Sequence, residues 1–453
     1  HSSIMAPGVK VAAGDVTGSR EGRAASRTAS SVNFMTSDTI QWVAAFLFAV
    51  ALIHTFSTRL FEHLAHTQPD HAGIWHLLGE VEVVFGFWAL VLVVAMFAVD
   101  GSAAAIAYVD SRNFTEPLFV FAIMVIAATR PILRTATRGV RLLAGYLRLP
   151  GSLGYYITVM ATIPLLGSFI TEPAAMTLAA LILADHFFAR GISSRLKYAT
   201  LGVLLVNVSI GGTLTSFAAP PVLMVAGKWG WDVAFMMSTF GWKAAIAVFI
   251  NAVAVAWLFR RELARLPLTA DDDHAVPVPV PLVVVHLLFL AGVVVFAHHP
   301  AIFLGLFLFF LGVASAYRHH QDRLILREGL LVAFFLAGLV VLGGLQQWWL
   351  QPVLMGMSSD AVFVGATVMT AFTDNAALTY LGSLVEGLSD EFKYALVAGA
   401  VTGGGLTIIA NAPNPAGVAI LKGYLEDEAV NPLSLLVAAL PPTLVAMAAF
   451  TLL

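Results

Sequence analysis

Twelve apolar segments follow one another along this chain, and several reach the roughly 20 residues that carry an α-helix across a bilayer. Backbone groups in lipid must satisfy one another, which leaves only helices or a closed barrel. The alternating ten-residue pattern of barrel strands is absent, so the segments predict an all-α polytopic membrane protein. Composition agrees: 59% of the residues are hydrophobic and 11% charged, where a water-soluble chain carries about 25% charged. A net charge of −3 and the lack of a basic stripe argue against a nucleic-acid partner. With no cysteine in the chain, disulfides, iron–sulfur ligation and thiol catalysis are excluded.

The most polar internal stretch, Arg260–Pro277 with Asp271, Asp272, Asp273 and His274, leaves six apolar segments on each side. The two sides match each other at two places in the same order. Ile170-Thr171-Glu172-Pro173-Ala174-Ala175-Met176-Thr177 aligns with Phe372-Thr373-Asp374-Asn375-Ala376-Ala377-Leu378-Thr379, in the fourth segment of each side. Gly211-Gly212-Thr213-Leu214-Thr215 aligns with Gly403-Gly404-Gly405-Leu406-Thr407, in the fifth. The expected organisation is a disordered polar tail over 1–37, a first repeat over 38–262, a linker over 263–280 and a second repeat over 281–453. The tail lacks the apolar core of a complete secretory signal.

Basic residues in short loops favour the cytoplasmic side. Arg130, Arg134, Arg138, Arg141 and Arg148 precede the fourth segment, and Arg190, Arg195 and Lys197 follow it. Both of its ends therefore read as cytoplasmic, placing Thr137 and Ser193 on one face. A segment of this length that returns to its own side is a re-entrant hairpin with its tip near Gly167–Pro173. The matching segment, Ala361–Leu388, lies between basic-poor loops, which puts Ser358 and Ser389 outside and inverts the second hairpin. The expected architecture is an inverted repeat with about ten transmembrane helices, two opposed hairpins and two broken helices. The acidic Glu426–Glu428 loop, cytoplasmic in this scheme, fits it poorly, as does the basic tail outside.

Glu172 and Asp374 are carboxylates inside the membrane, and such residues mark functional sites by default. Each follows a threonine, and carboxylate and hydroxyl oxygens suit a hard cation. Burial raises a carboxylate's pKa and a bound cation lowers it, so one site can exchange proton for sodium. The plainer reading is a helix cap, and one acid can do both. Glycine runs inside spans suggest broken helices whose freed backbone groups bind ions at mid-membrane, though glycines also permit close helix packing. The candidate ion-binding set is Thr171, Glu172, Gly212, Thr213 and Thr215 from the first half. The second half supplies Thr373, Asp374, Asn375, Gly404, Thr407 and Asn411.

Phe372–Asn375 with Ala376-Ala377-Leu378-Thr379, and Gly211–Ala219 before Pro220-Pro221, resemble hallmarks of the ion transporter superfamily. The resemblance is strongest to its sodium/proton antiporter family, more distant to arsenite-efflux and divalent-anion/sodium symporters, and runs from about Ile40 to the C-terminus. It implies two hairpins, two broken helices, a homodimer with moving transport domains and sodium and proton as the transported partners. Carboxylate symporters carry Ser-Asn-Thr at both tips; here the tips read Thr171-Glu172-Pro173 and Thr373-Asp374-Asn375, and the added negative charge disfavours an anionic substrate. Sodium/proton antiport in a bacterial inner membrane is thus the expected function, without cofactor or resident metal. The alternative is a sodium- or proton-coupled carrier of bicarbonate, arsenite or a carboxylate. No dyad or metal cluster suggests a membrane-embedded enzyme.

Weaker features complete the reading. Thr115-Glu116-Pro117 reads as a helix start. His63, His66, His71 and His76, with Glu62, Glu80 and Glu82, form a cytoplasmic histidine-rich loop in this topology, either solvated or pH-sensing. Lys243 reads as snorkelling outward, and Trp348-Trp349 as part of an aromatic belt.

Overall fold

The computed structural model describes residues 37–267 and 277–453. Most of the expected tail (1–37), and the middle of the expected linker (263–280) with Asp271–His274, lie outside the described residues.

The first half runs α1 (Asp38–Thr55), α2 (Thr58–Thr67), α3 (Ala72–Gly79), α4 (Val81–Val99), α5 (Ser102–Asp110), α6 (Thr115–Ala127) and α7 (Arg130–Tyr146). It continues with α8 (Leu153–Ile170), α9 (Glu172–His186), α10 (Ser194–Gly211), α11 (Pro220–Trp229), α12 (Val233–Met236), α13 (Trp242–Leu258) and α14 (Arg260–Leu263). The second half contains α15 (Val280–Val295), α16 (Pro300–Ala316), α17 (Leu326–Gly343), α18 (Gln347–Met355) and α19 (Ser359–Thr370). It ends with α20 (Asn375–Ser383), α21 (Asp390–Gly403), α22 (Asn414–Leu421) and α23 (Pro432–Leu452). No strand occurs among the described residues. Side-chain caps start several helices: Ser193 accepts from Leu196 N–H, Ser358 from Ala361 N–H and Ser389 from Phe392 N–H. Each cap is worth about 1 kcal/mol.

Eight helices among the described residues are long and apolar enough to cross a membrane, or nine if the bent pair α6–α7 is one span. The protein is thus an all-α, many-span membrane protein. The count differs from the expected ten spans through helices gained and helices lost. Both α8 and α9 (the latter with its 3-10 extension to Arg190) are long enough to be counted, although the sequence reads them as hairpin arms. Conversely α15 and α16, read as spans, have 16 and 17 residues and fall short, as do α21, 14 residues long and ended by its glycine run, and α6, 13 residues long unless joined to α7. The arginine cluster after α6 is a helix and not a loop: α7 turns away from α6 by 66° at a break before Arg130-Pro131, where proline cannot continue the preceding helix's hydrogen bonds. The histidine-rich stretch is likewise helical, and His63, His66, His71 and His76 stand exposed on α2, α3 and the 3-10 turn between them.

α10 is the centre of the bundle, 83% buried along its span, against 39% for α1, α4 and α23. The outer helices turn Phe46, Val94, Leu308 and Phe309 outward, as a lipid-facing surface requires. A buried amide network ties the centre together. Asn207 on α10 donates to Met160 O at 3.0 Å and Val248 O at 3.1 Å, and accepts from Asn251 of α13 at 2.9 Å. Asn251 also donates to Pro442 O of α23. Interhelical amide bonds of this kind hold membrane helices together where lipid offers no hydrophobic drive.

Contacts between helix ends fall into two groups. In one, Arg327 pairs with Glu80 and Arg130 with Asp322, Ser193 Oγ donates to Glu262 Oε2 at 3.0 Å, and Lys197 Nζ donates to Tyr424 O at 2.7 Å. Ser194 Oγ donates to Glu426 at 3.2 Å in the same group. In the other, Ser37 Oγ donates to Asp100 at 2.7 Å, Gln351 Nε2 to Glu386 O at 3.0 Å, and Tyr394 Oη to Phe450 O at 2.7 Å. Lys243 donates to Tyr394 Oη at 2.9 Å, and Trp348 packs edge-on against Trp42. α4 runs from Glu80 in the first group to Asp100 in the second, and α23 from near Tyr424 to Phe450.

Candidate functional site

α8 and α9 pack along each other, separated by the single residue Thr171. Thr171 has φ +74° and ψ 149°, a region that β-branched residues avoid at a cost of about 1–3 kcal/mol. Its hydroxyl is buried and finds no partner among the described residues. Glu172 follows as the first residue of α9, with Pro173 behind it supplying a preset φ. The Glu172 side chain is 0% exposed, and its Oε2 accepts from Asn411 Nδ2 at 2.8 Å. Its Oε1 has no partner among the described residues. A buried carboxylate with half of its acceptor capacity unused is costly, and a small cation or a proton would remove that cost.

The first glycine run supplies the opposite wall. α10 stops at Gly211, a 3-10 turn covers Gly212–Leu214, and Thr215 is extended. A Cβ on Gly212 would collide with Glu172 Oε1 and sit 2.8 Å from its Cγ, so only glycine lets the broken backbone meet the acid. Ser168 of α8 donates to Gly211 O at 2.7 Å and accepts from Leu214 N at 2.9 Å. Thr215 Oγ1 donates to Ser168 O at 2.6 Å, and Thr213 Oγ1 to Ile210 O at 2.7 Å. Both threonines spend their protons on carbonyls and keep lone pairs.

The second motif repeats the plan with different detail. Asp374 caps α20, its Oδ1 accepting from Ala376 N at 2.8 Å and Ala377 N at 3.2 Å. The backbone N–H of Ala412, in the second break, also points to it. Asn375 is fully buried, 3.5 Å through Nδ2 from Ser209 Oγ, with its own Oδ1 unpartnered. A Cβ on Gly404 would collide with Ser209 Oγ and lie 2.8 Å from Asn375 Nδ2. Thr407 Oγ1 donates to Ala371 O at 2.9 Å, the counterpart of the Thr215 bond. Thr373 is half-buried, its hydroxyl turned back to Met369 O at 3.1 Å.

Asn411 joins the two motifs: it donates to Glu172 and, with Asp374, lines a cavity of about 20 Å3. Three residues outside the expected set belong here. Asn414 donates to Gly404 O at 2.8 Å and Thr407 O at 2.9 Å, leaving its Oδ1 unpartnered. Ser209 donates to Val401 O at 2.7 Å beside Asn375. Glu82, placed by the sequence in the histidine-rich loop, lines the Asp374 cavity. Its signal was an acid at the very start of an apolar segment. Glu116 lies elsewhere, in a separate cavity of about 390 Å3 with Asp232 and His298.

Five buried oxygens in this region, on Thr171, Glu172, Asn375, Asn411 and Asn414, lack a hydrogen-bond donor among the described residues. Native interiors rarely leave such atoms unpaired. Oxygen-only donors suit hard cations and protons and offer nothing to softer metals. Among the described residues no group of three or more His, Asp or Glu is arranged to hold a metal.

No curated protein matches the sequence significantly. The model of one family, described as putative Na+/H+ antiporter, matches residues 39–453 and so takes in both glycine breaks and both acid motifs. The chain belongs to that putative Na+/H+ antiporter family.

Proposed function

We propose that the protein exchanges sodium for protons across a membrane, with Glu172 and Asp374 as its site carboxylates and proton and sodium competing at Asp374. The observation that carries this reading is the set of unpartnered buried oxygens gathered where the two acid motifs meet the two glycine breaks. Thr171, Asn375 and Asn411 complete the ligand set, with Gly212 and Gly404 permitting the approach and Thr213, Thr215 and Thr407 fixing the breaks. Two carboxylates at one site would repel an anion, which sets this function apart from sodium-coupled anion transport.

The reading includes an inverted repeat, 38–262 against 281–453, with α8–α9 and α19–α20 as opposed hairpins. Support comes from Thr215 and Thr407, aligned in sequence, which bond to Ser168 O and Ala371 O at the ends of the two leading arms. The grouping of helix ends agrees: the base of α8–α9 lies with Glu262 and Arg130, and that of α19–α20 with Gln351. Arginines concentrated in the first group support its being the cytoplasmic one on this reading. The Glu426 loop lies in the same group through Ser194, in keeping with this reading. A homodimer in a bacterial inner membrane belongs to the reading on the family resemblance alone.

The test is proton flux in proteoliposomes on adding Na+, Li+, K+ or candidate anions in turn. The proposal expects flux with sodium, and flux driven only by bicarbonate, arsenite or a carboxylate would replace it with the anion carrier.

A further inference from the structure

Glu82 is a carboxylate that the exchange site itself does not use, and its surroundings point to a task. It stands in the first turn of α4, a helix apolar from Val83 to Val99. Together with Asp374 and Asn411 it lines the cavity of about 20 Å3. A single water needs roughly 10–15 Å3, so one water fits between the two acids. Asn411 borders the same space, fully buried, with its Oδ1 unpartnered. The neighbouring acid Glu80 is held by Arg327, whereas no side chain among the described residues pairs with Glu82. The charged groups acting on Glu82 are Glu80 beside it, Arg327 from α17 and Asp374 across the cavity. His54 of the adjacent α1 is turned away, to Leu78 O and Trp88.

We propose that Glu82 is a proton-relay residue linking the arginine-rich end of the bundle to Asp374. As sodium leaves Asp374, the Glu82 carboxyl passes its proton through the cavity to the Asp374 carboxylate. Glu82 becomes a carboxylate, Asp374 a neutral acid, and Glu82 is reprotonated from water at the Glu80–Arg327 end. The reverse order discharges a proton to that side before sodium binds. This inference rests on the shared sodium and proton site.

The experiment reconstitutes wild type, Glu82→Gln, Glu82→Asp and Asp374→Asn and compares two rates in each across pH: exchange of radioactive sodium for sodium, and proton flux driven by a sodium gradient. Glu82→Gln is expected to lower the ratio of proton flux to sodium exchange at least about tenfold, a modest share of what a positioned proton-transfer group supplies. Glu82→Asp restores part of the ratio with a shifted pH profile, and Asp374→Asn loses both rates. An unchanged ratio in Glu82→Gln overturns the relay and leaves the exchange site standing. Equal loss of both rates in Glu82→Gln, unrestored by Glu82→Asp, also overturns it. Wild type without sodium-driven proton flux overturns the exchange reading itself.

Discussion

Glu172 and Asp374 hold matching places in two Thr-acid runs, but their environments are not alike. Glu172 is sealed at 0% exposure and held by the side chain of Asn411, whereas Asp374 is 9% exposed, capped by backbone N–H groups, and borders a cavity. The first tip is also the strained one, through the positive φ of Thr171. On the proposed reading the sealed acid holds an ion and the acid on the cavity exchanges one, which divides one task between the two motifs.

The largest expected effect comes from Asp374→Asn. It removes charge and titration while nearly preserving size, and sodium-dependent proton flux should fall at least about 100-fold, as for loss of an essential proton-transfer group. Stopped-flow dequenching of a pH dye in proteoliposomes measures it; wild-type flux from a well-folded variant would hand the central role to Glu172. Glu172→Gln should act differently. It weakens apparent sodium affinity by about tenfold, or 1.4 kcal/mol, while the pH dependence of transport stays that of wild type. A shifted pH profile in this variant would erase the contrast between the tips.

Thr215→Val and Thr407→Val probe whether the halves are alike below the acids. Each loses one hydroxyl bond to a leading-arm carbonyl, about 1 kcal/mol apiece, and melting temperatures should drop by similar amounts. Unequal losses would mean that only one break is pinned to its hairpin. The smallest effect belongs to the ends of the bundle. Arg130 hydrogen-bonds to Asp322 and holds its carboxyl below the usual range. Because the folded value is depressed, that stabilisation is full above the ordinary carboxylate value and fades as pH falls through the lowered one. The Asp322 side chain is 62% exposed, so Asp322→Asn should cost less than about 1 kcal/mol at neutral pH, with the difference vanishing in acid. A thermal-shift series across pH reads it.

Much of this was legible in the sequence because lipid makes the rules strict. Apolar length announced the helices, and acids in apolar segments marked Glu172 and Asp374. Membership of a transporter family also makes the protein a transporter and not an enzyme. Lateral packing was not legible. Glu82 looked like one acid in a polar loop because nothing local says that α4 brings its first turn beside Asp374. Asn414 and Ser209 were hidden among ordinary polar residues, since their significance lies in partners 166 residues away or across a break. The arginine cluster reads as a loop on charge alone, although Arg130, Arg134, Arg138 and Arg141 recur every three or four residues, the spacing of the helix α7.

The central claim is that proton and sodium compete for one carboxylate site. Its most direct measurement is the apparent Michaelis constant for sodium in wild-type proteoliposomes as a function of pH. Competition predicts that the constant rises about tenfold for each pH unit below the carboxyl's pKa, while the maximal rate at saturating sodium changes far less. A Michaelis constant independent of pH, with only the maximal rate responding, would contradict the shared site.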